Sequence, residues 1–459
     1  MIRQILRATT ILATGITLIA AASPLHANPY ETMLDNGLRV IVKEDRRAPS
    51  VVHMLWYDAG ATDEPEGASG IAHMLEHMMF KGTETVGPGE FNRRVAAVGG
   101  RDNAFTGRDY TAYFQQIPPT HLGSMMALEA DRMVNLRLAE EHFLPEVEVV
   151  KEERRLRIDD EPQALLFEQL MATALQAHPY RRPVIGWMPD IEAYRLSAAQ
   201  RWYDDWYAPN NARLVVVGDV DHEEVFALAR QHYGPIPMRA LPERRIAGEP
   251  PQRGPRRSIV RAPAELPYVA LAWHTPTLRD VRSDRDVYAL QVLAAVLDGY
   301  EGARLERRLV REERIAVSAG ASYGGIGRGP SLFMLAGSPS PGRTAAELEA
   351  ALRAEIDRIA NEGIREEELE RVRVQAVAAQ VYKRDSLMGQ AMEIGFLGAA
   401  GLSWRDEEAL IEGLRKVTAD DVRSVAQRYF TELTMTRAEL EPQPLDPAAP
   451  RRTATATRH

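Results

Sequence analysis

Short blocks of apolar residues recur along the chain, and their lengths and spacing predict both strands and helices. Asn36 and Gly37 separate two apolar runs, which is a strong signal of a β-hairpin. Residues 51–57, apolar apart from His53, form a run typical of a buried strand, and a glycine-rich loop leads from it into an apolar helix that begins near residue 70. Residues 212–218 predict a further strand before another helix. This order of elements predicts an α+β fold with a mostly antiparallel sheet.

The same pattern starts again in the second half of the chain. The apolar run around Trp273 resembles the run around Trp56, and in both places a loop and an apolar helix follow. Seventeen residues beyond each tryptophan stand His73 and Leu290. An internal duplication is therefore predicted, in which only the first copy carries polar residues in its helix.

The first 27 residues differ from the rest of the chain. Arg3 and Arg7 precede an apolar run that ends near Ala22, and the small residue Ala27 closes the segment. This layout is typical of a cleavable secretory signal; a mitochondrial presequence is the alternative, but it would be amphipathic rather than uniformly apolar. No later stretch approaches the length of a membrane helix. We therefore expect a periplasmic or secreted protein with no membrane partner once the signal is removed.

Composition narrows the classes of protein further. Of the 459 residues, 45% are hydrophobic and 26% are charged, which fits a globular protein large enough for two domains. The net charge of -9 argues against nucleic acid as a partner, and the lack of cysteine excludes disulfides and thiol chemistry. The predicted segments are a signal peptide at 1–27, an N-terminal domain at 28–235, a linker rich in proline, arginine and glycine at 236–262, a C-terminal domain at 263–440 and a disordered tail at 441–459.

The apolar helix of the first half carries three polar residues whose spacing predicts a metal site. His73 and His77 are four residues apart, so on a helix both imidazoles lie on one face and can reach one ion. Glu76 lies on the same side, and H-x-x-E-H reverses the H-E-x-x-H zinc-protease pattern, in which the glutamate is the general base. The alternative without a metal is two partly buried histidines held by hydrogen bonds, beside a surface glutamate.

Catalytic zinc usually has three protein ligands, so a third ligand is needed. In the acidic segment 145–155, Glu146 and Glu153 are seven residues apart and share one helix face with apolar neighbours, whereas Glu148 and Glu152 point elsewhere. Helix geometry alone leaves the choice open, because a charge-rich helix is usually only a solvated one.

Residues 67–83, which read GASGIAHMLEHMMFKGT, resemble a known group of metallopeptidases. These are the inverzincins of the pitrilysin, insulysin and mitochondrial processing peptidase family, M16, and in particular their half-length bacterial members. The resemblance implies that Glu153, at the family's spacing beyond His77, is the third zinc ligand, and that Glu146 has a second functional role. Further matches lie at residues 34–40, 99–106, 207–211 and 216–219.

The resemblance also implies contacts with a substrate. An edge strand carrying Asn103 and Ala104 would bind a peptide backbone by strand addition. Arg311 matches an arginine that helps to hold the substrate, but the family's tyrosine seven residues later is Ser318 here, and the nearest tyrosine is Tyr323. Since some bacterial members divide these groups between two chains, we expect a homodimer, or a heterodimer with a related chain that lacks the zinc motif.

Together with the metal motif, the resemblance implies a zinc-dependent endopeptidase that hydrolyses unfolded peptides in a closed chamber, with one Zn²⁺ per chain and Glu76 as the general base. Two homologous α+β domains, each a mostly antiparallel sheet packed with helices, would face each other like a clamshell, as in the LuxS/MPP-like metallohydrolase fold. A noncatalytic peptide-binding or assembly subunit of the same fold is one alternative. A regulatory zinc site in a carrier or chaperone is another.

Overall fold

The computed structural model describes residues 28–445, apart from the side chains of residues 380 and 381. The predicted signal peptide at 1–27 and residues 446–459 of the predicted tail lie outside this range. Within the range, no helix combines the length and the apolar character needed to cross a bilayer.

The first half is built on a mixed sheet with helices packed against it. Its strands are β1 (Tyr30–Met33), β2 (Arg39–Glu44), β3 (Val51–Tyr57), β4 (Arg101–Thr106), β5 (Thr111–Ile117) and β6 (Ala212–Gly218). They lie in the order β1-β2-β6-β3-β5-β4, and only the pair β2 and β6 is parallel. The helices are α1 (Ile71–Met78), α2 (Glu90–Ala97), α3 (Leu122–Asn135), α4 (Glu140–Arg154), α5 (Pro162–Ala174), α6 (Met188–Glu192), α7 (Leu196–Trp206) and α8 (His222–His232).

The predicted β-hairpin at Asn36 and Gly37 is confirmed, since these residues lie in the turn between β1 and β2. Gly37 has a φ of 82°, and a Cβ atom there would lie 2.8 Å from Cβ of Asn210. Both the positive φ and the close approach therefore require glycine. The Asn36 side chain donates hydrogen bonds to the carbonyls of Tyr233 (2.7 Å) and Ile236 (2.8 Å), which ties the hairpin to the end of the first half.

The second half is built on another mixed sheet. Its strands are β7 (Arg256–Pro263), β8 (Tyr268–Thr275), β9 (Ala316–Tyr323), β10 (Ser331–Pro339) and β11 (Met435–Gln443), in the order β7-β11-β8-β10-β9. Only β7 and β11 are parallel. The helices are α9 (Arg285–Asp298), α10 (Ala345–Glu362), α11 (Glu366–Arg384), α12 (Leu387–Ala399), α13 (Glu407–Arg415) and α14 (Ala419–Tyr429).

The two sheets share one topology, which confirms the predicted duplication and the α+β class. After β1, the first sheet runs β2-β6-β3-β5-β4, and the second sheet runs β7-β11-β8-β10-β9 with its parallel pair in the same place. Trp56 lies on β3 and Trp273 on the equivalent strand β8. The helices that follow are α1, which contains His73, and α9, which contains Leu290. Each sheet is thus mostly antiparallel, as predicted, with one parallel pair.

Two predicted boundaries need correction. The predicted linker at 236–262 includes most of β7, because the irregular segment ends just before Arg256. This strand lies at the edge of its sheet, and more exposed residues alternate with less exposed ones along it. Its exposed arginines therefore gave it the composition of a linker. The predicted tail at 441–459 begins inside β11, whose last residues pair with β7 as far as Gln443.

The halves exchange one helix each, a feature that the sequence did not predict. Leu166 and Leu170 of α5, in the first half, are fully buried against the second sheet, where Ala270 and Leu440 are among their neighbours. Conversely, α12 of the second half covers the outer face of the first sheet. Burying each leucine contributes about 1.5–3 kcal/mol, so this exchange joins the halves strongly.

Candidate metal centre

Helix α1 begins at a buried carboxylate. Gly70 precedes the helix with a φ of 85°, and the backbone N–H groups of Gly70 and Ala72 each donate a hydrogen bond of 2.9 Å to Glu64. Burial raises the pKa of Glu64 to about 8, although the two N–H groups oppose this shift. Glu64 therefore holds the start of the helix that carries the histidines. The sequence did not predict this contact, because a glutamate seven residues before the first residue of a helix fits no local capping pattern.

The structure brings the three predicted metal ligands together. The candidate ligand atoms of His73, His77 and Glu153 all lie within 4.8 Å of one another, and all three residues are buried. Nε2 of His73 lies 3.8 Å from one carboxylate oxygen of Glu153, and Nε2 of His77 lies 3.3 Å from the other. The histidines come from α1 and the glutamate from the last turn of α4, which packs against it.

The chemistry of this donor set fits a zinc ion. Two imidazole nitrogens and one carboxylate oxygen form a three-ligand set that leaves room for a further ligand, as in catalytic zinc sites. Burial alone would raise the pKa of Glu153, but the imidazoles of His77 and His73 lower it to about 2. The carboxylate is therefore ionised and ready to bind a cation at neutral pH.

Glu76 lies beside the candidate ligands and next to the edge of the sheet. Its side chain is 3% exposed, and Oε2 accepts a hydrogen bond of 2.5 Å from the hydroxyl of Thr106, the last residue of β4. Burial raises the pKa of Glu76 to about 7. A carboxyl group with this pKa can both accept and release a proton near neutral pH. Thr106 was not predicted as a site residue, although the residues around it matched the family pattern.

Glu146 contacts the outer nitrogen of one candidate ligand. Its Oε1 lies 2.8 Å from Nδ1 of His77, and its Oε2 lies 2.5 Å from Nζ of Lys81. Burial would raise the pKa of Glu146, but His77 and Lys81 together lower it. Glu146 thus fixes the ring so that Nε2 faces Glu153. Lys81 belongs to the family-like run of residues, but its role follows only from the three-dimensional contact.

Asn103 and Ala104 lie on β4, the strand at the outer edge of the first sheet. Within the described chain, β4 pairs with β5 on one side and with no strand on the other. The Asn103 side chain accepts a hydrogen bond of 2.9 Å from the N–H of Ala104. A peptide that pairs with this edge must therefore displace the Asn103 side chain.

Arg311, Ser318 and Tyr323 are held by residues of the second half. Arg311 is exposed and forms ion pairs with Glu306 (2.5 Å) and Glu301 (3.7 Å). Ser318 lies on β9, where its hydroxyl accepts a hydrogen bond of 3.3 Å from the backbone N–H of residue 338. The Tyr323 hydroxyl donates a hydrogen bond of 2.5 Å to the carbonyl of residue 276. The structure thus does not join these residues to α1 or α4.

Comparisons with known proteins decide the family. A family model described as "Insulinase (Peptidase family M16)" matches residues 39–187, and one described as "Peptidase M16 inactive domain" matches residues 196–375. Zinc protease PqqE of Helicobacter pylori is 30% identical over 94% of this chain and 97% of its own length. The chain belongs to peptidase family M16. An uncharacterized zinc protease of Mycobacterium leprae is 29% identical over 88% of this chain and 90% of its own.

Solved M16 structures have the same fold, and they differ in how much of their length this chain covers. A protease from Helicobacter pylori has a TM-score of 0.85 at 30% identity, over 90% of this chain and 100% of that chain. The periplasmic protease PqqL from Escherichia coli has a TM-score of 0.78 at 21% identity, and this likeness shows the fold alone. It covers 94% of this chain but 50% of PqqL, so this M16 chain is of the half-length type.

Proposed function

We propose that this M16 chain is a zinc-dependent endopeptidase with one Zn²⁺ per chain. The observation that carries the proposal is the convergence of His73, His77 and Glu153 within 4.8 Å, with Glu76 on the same buried helix as the histidines. The zinc-protease names of relatives at about 30% identity support the metal and the reaction class.

In this proposal His73, His77 and Glu153 hold the ion, and Glu76 moves the proton. Zinc supplies Lewis-acid chemistry, since it polarises a peptide carbonyl and makes water more acidic. Glu76 takes a proton from the water that attacks the scissile carbonyl and then delivers it to the nitrogen of the leaving amine. The hydroxyl of Thr106 holds the Glu76 carboxyl group in place through both transfers.

Glu146 has a positioning role in this scheme. Because it accepts at Nδ1 of His77, it sets the tautomer and the direction of the imidazole. Lys81 neutralises the second oxygen of Glu146 and keeps that carboxylate charged. Activity then depends on Glu146 through the affinity for zinc rather than through contact with the substrate.

The proposed substrate is an unfolded peptide bound along β4. A peptide that adds to this free edge is held by backbone hydrogen bonds around Asn103 and Ala104, beside Glu76 and Thr106. Most strands of a folded protein are already paired within its own sheets, so an unfolded peptide offers many more segments to such an edge. Within this chain, Arg311 forms ion pairs only with residues of the second half. In this proposal it would therefore contact a peptide only when a second M16 chain closes the chamber.

We further propose an exported protein that works as a homodimer or with a related M16 chain lacking the zinc motif. Ser318 at the place of the family tyrosine favours the heterodimer, because a partner would then supply the tyrosine. Full peptidase activity of the purified chain alone would contradict this part of the proposal. The apolar segment at residues 1–27 motivates export, which N-terminal sequencing of the secreted protein tests.

The deciding experiment measures peptide masses after incubation with the zinc-loaded chain. A mixture of unstructured peptides roughly 10 to 30 residues long offers many possible strands for the edge of the sheet. We expect the native chain to shorten peptides and Glu76→Gln to leave them intact while it retains zinc. Equal cleavage by both proteins contradicts the role of Glu76.

A noncatalytic peptide-binding or assembly subunit is the second candidate. The description of the second family model as an inactive domain favours it, but that match covers residues 196–375, outside the zinc helix. Peptide binding without any loss of mass, by a chain loaded with zinc and supplied with its partner, would support this candidate instead.

A further inference from the structure

A cavity of about 310 Å³ lies between the halves at the turn that joins β4 to β5. Arg108 of that turn, Met171 of α5 and Tyr180 line it from the first half. Leu332, Met334 and Phe396 line it from the second half, the last of these on the exchanged helix α12. Volumes of this size hold small ligands or amino-acid side chains in other proteins.

Arg108 brings a positive charge without a carboxylate partner into this cavity. Among residues 28–445, no acidic side chain forms an ion pair with the Arg108 guanidinium, and the guanidinium donates no hydrogen bond. It lies over the ring of Tyr180, 4.9 Å from the ring centre. Arg108 is exposed, so its guanidinium is open to an incoming anion. Desolvation lowers the pKa of Arg108, whereas Tyr180 and Asp109 oppose this shift. A bound anion would add to this partial compensation.

The adjacent carboxylate cannot serve as that anion. Asp109 accepts hydrogen bonds from the hydroxyl of Thr62 (3.0 Å), from the hydroxyl of Tyr180 and from the backbone N–H of Arg328 (2.9 Å). The guanidinium of Arg328 also lies 3.3 Å from Asp109. These contacts with both halves engage the Asp109 carboxylate, which forms no ion pair with Arg108 although its charge still acts on Arg108 at a distance.

The walls of the cavity match a carboxylate on a short alkyl stem. Met171, Leu332 and Phe396 offer apolar surface for methylene groups, while the guanidinium of Arg108 can bind both oxygens of a carboxylate. A basic side chain would meet the charge of Arg108, and an uncharged amide would gain only a weaker hydrogen bond.

We propose that this cavity binds the side-chain carboxylate of a glutamate or aspartate in the peptide substrate, so that Arg108 determines specificity. Arg108 lies in the turn that directly follows β4, two residues after Thr106, the last residue of that strand. A peptide paired with β4 would continue past this point. The carboxylate in the cavity is therefore assigned to a side chain rather than to the C-terminus of the peptide. The inference rests on the proposed peptidase function.

The experiment compares matched peptides that carry a single glutamate or glutamine at each position around the scissile bond. We expect one position at which glutamate raises kcat/KM about tenfold, the effect of one charge-assisted hydrogen bond. Arg108→Gln should abolish this preference, and Arg108→Lys should restore part of it. Arg253→Gln, at an exposed arginine of the irregular segment, should leave it intact. Thermal melting and zinc content report on correct folding of each variant.

Each outcome has one meaning. Hydrolysis without a glutamate preference, or a preference that survives in Arg108→Gln, overturns the inference and leaves the peptidase proposal standing. If the preference is lost on amidation of the peptide C-terminus and does not depend on the internal glutamate, the assignment to a side-chain carboxylate is overturned. If no peptide is cleaved, fluorescence anisotropy measures the binding of the same peptides to zinc-loaded Glu76→Gln. Tighter binding of the glutamate peptide that Arg108→Gln removes supports the inference. Equal binding of the glutamate and glutamine peptides overturns it.

Discussion

The two halves of the molecule share one sheet topology, but only the first half carries polar residues in the helix after the equivalent strand. In α9 the position that matches His73 is Leu290, which is fully buried in an apolar core. In α1 further polar groups support the site: Glu64 accepts hydrogen bonds from the backbone at the start of the helix, and Thr106 donates one to Glu76. The same topology therefore forms around an apolar helix in the second half, whereas in the first half the polar groups have additional hydrogen-bonding partners.

The strongest test of this contrast is Glu76→Gln. We expect kcat to fall by about 10²–10⁴, because the substitution removes the proposed general base from the first half. Zinc content, measured by mass spectrometry, should remain at one ion per chain. Glu148→Gln is the control, since this glutamate lies on α4 but is 66% exposed, and it should be silent. Loss of zinc in Glu76→Gln would show a metal ligand or a folding defect instead.

The next test asks whether the halves unfold as one unit. Leu166→Ala empties a buried position where α5 crosses to the second sheet, and we expect it to lower the free energy of unfolding by about 2–5 kcal/mol. Because the helix joins both cores, a single shifted transition is expected by circular dichroism and by tryptophan fluorescence. Leu144→Ala, at a residue 61% exposed, is the control. Two separate transitions would mean that the halves are independent.

Glu146→Gln separates positioning from chemistry. The amide keeps the size of the side chain but weakens the acceptor at Nδ1 of His77, so zinc affinity should fall about 10–100-fold. At saturating zinc, kcat should recover to near the native value. Competition with a chromogenic chelator measures the affinity, and Glu141→Gln, an exposed residue of the same helix, is the control. A kcat that stays low at saturating zinc would assign Glu146 a direct part in the reaction.

The parts of the fold and site that local sequence encodes were predictable, and the parts that depend on distant contacts were not. The spacing of His73 and His77 is a helical repeat, and the turn at Gly37 is a matter of backbone conformation, so both are visible in short windows. Glu153 needed the family resemblance, because helix geometry did not separate a ligand from a solvated glutamate. The helix exchange left no local signal, since Leu166 would look the same packed on either sheet.

Glu64→Gln tests the buried carboxyl group at the start of α1, a contact of the first half. The folded-state pKa of Glu64 is about 8, above the usual value of 4.5, so the folded chain holds an extra proton between these pH values. The contribution of this carboxyl to stability is therefore present at low pH and declines as the pH rises through that window. Native protein should lose stability relative to Glu64→Gln between about pH 5 and pH 8. Melting curves measure this, with exposed Glu66→Gln as the control; parallel pH profiles would contradict it.

Tyr323→Phe gives the smallest expected effect and bears on what the second half contributes to chemistry. The hydroxyl donates a hydrogen bond to the carbonyl of residue 276, and the ring packs on Phe333, so the tyrosine ties the end of β9 to the loop after β8. Removing the hydroxyl should cost about 1 kcal/mol of stability and leave kcat/KM unchanged. Tyr382→Phe, 72% exposed, is the control. A tenfold fall in kcat/KM with unchanged melting would place this hydroxyl at the substrate. The second half would then share in catalysis within one chain, and Ser318 would no longer call for a partner's tyrosine.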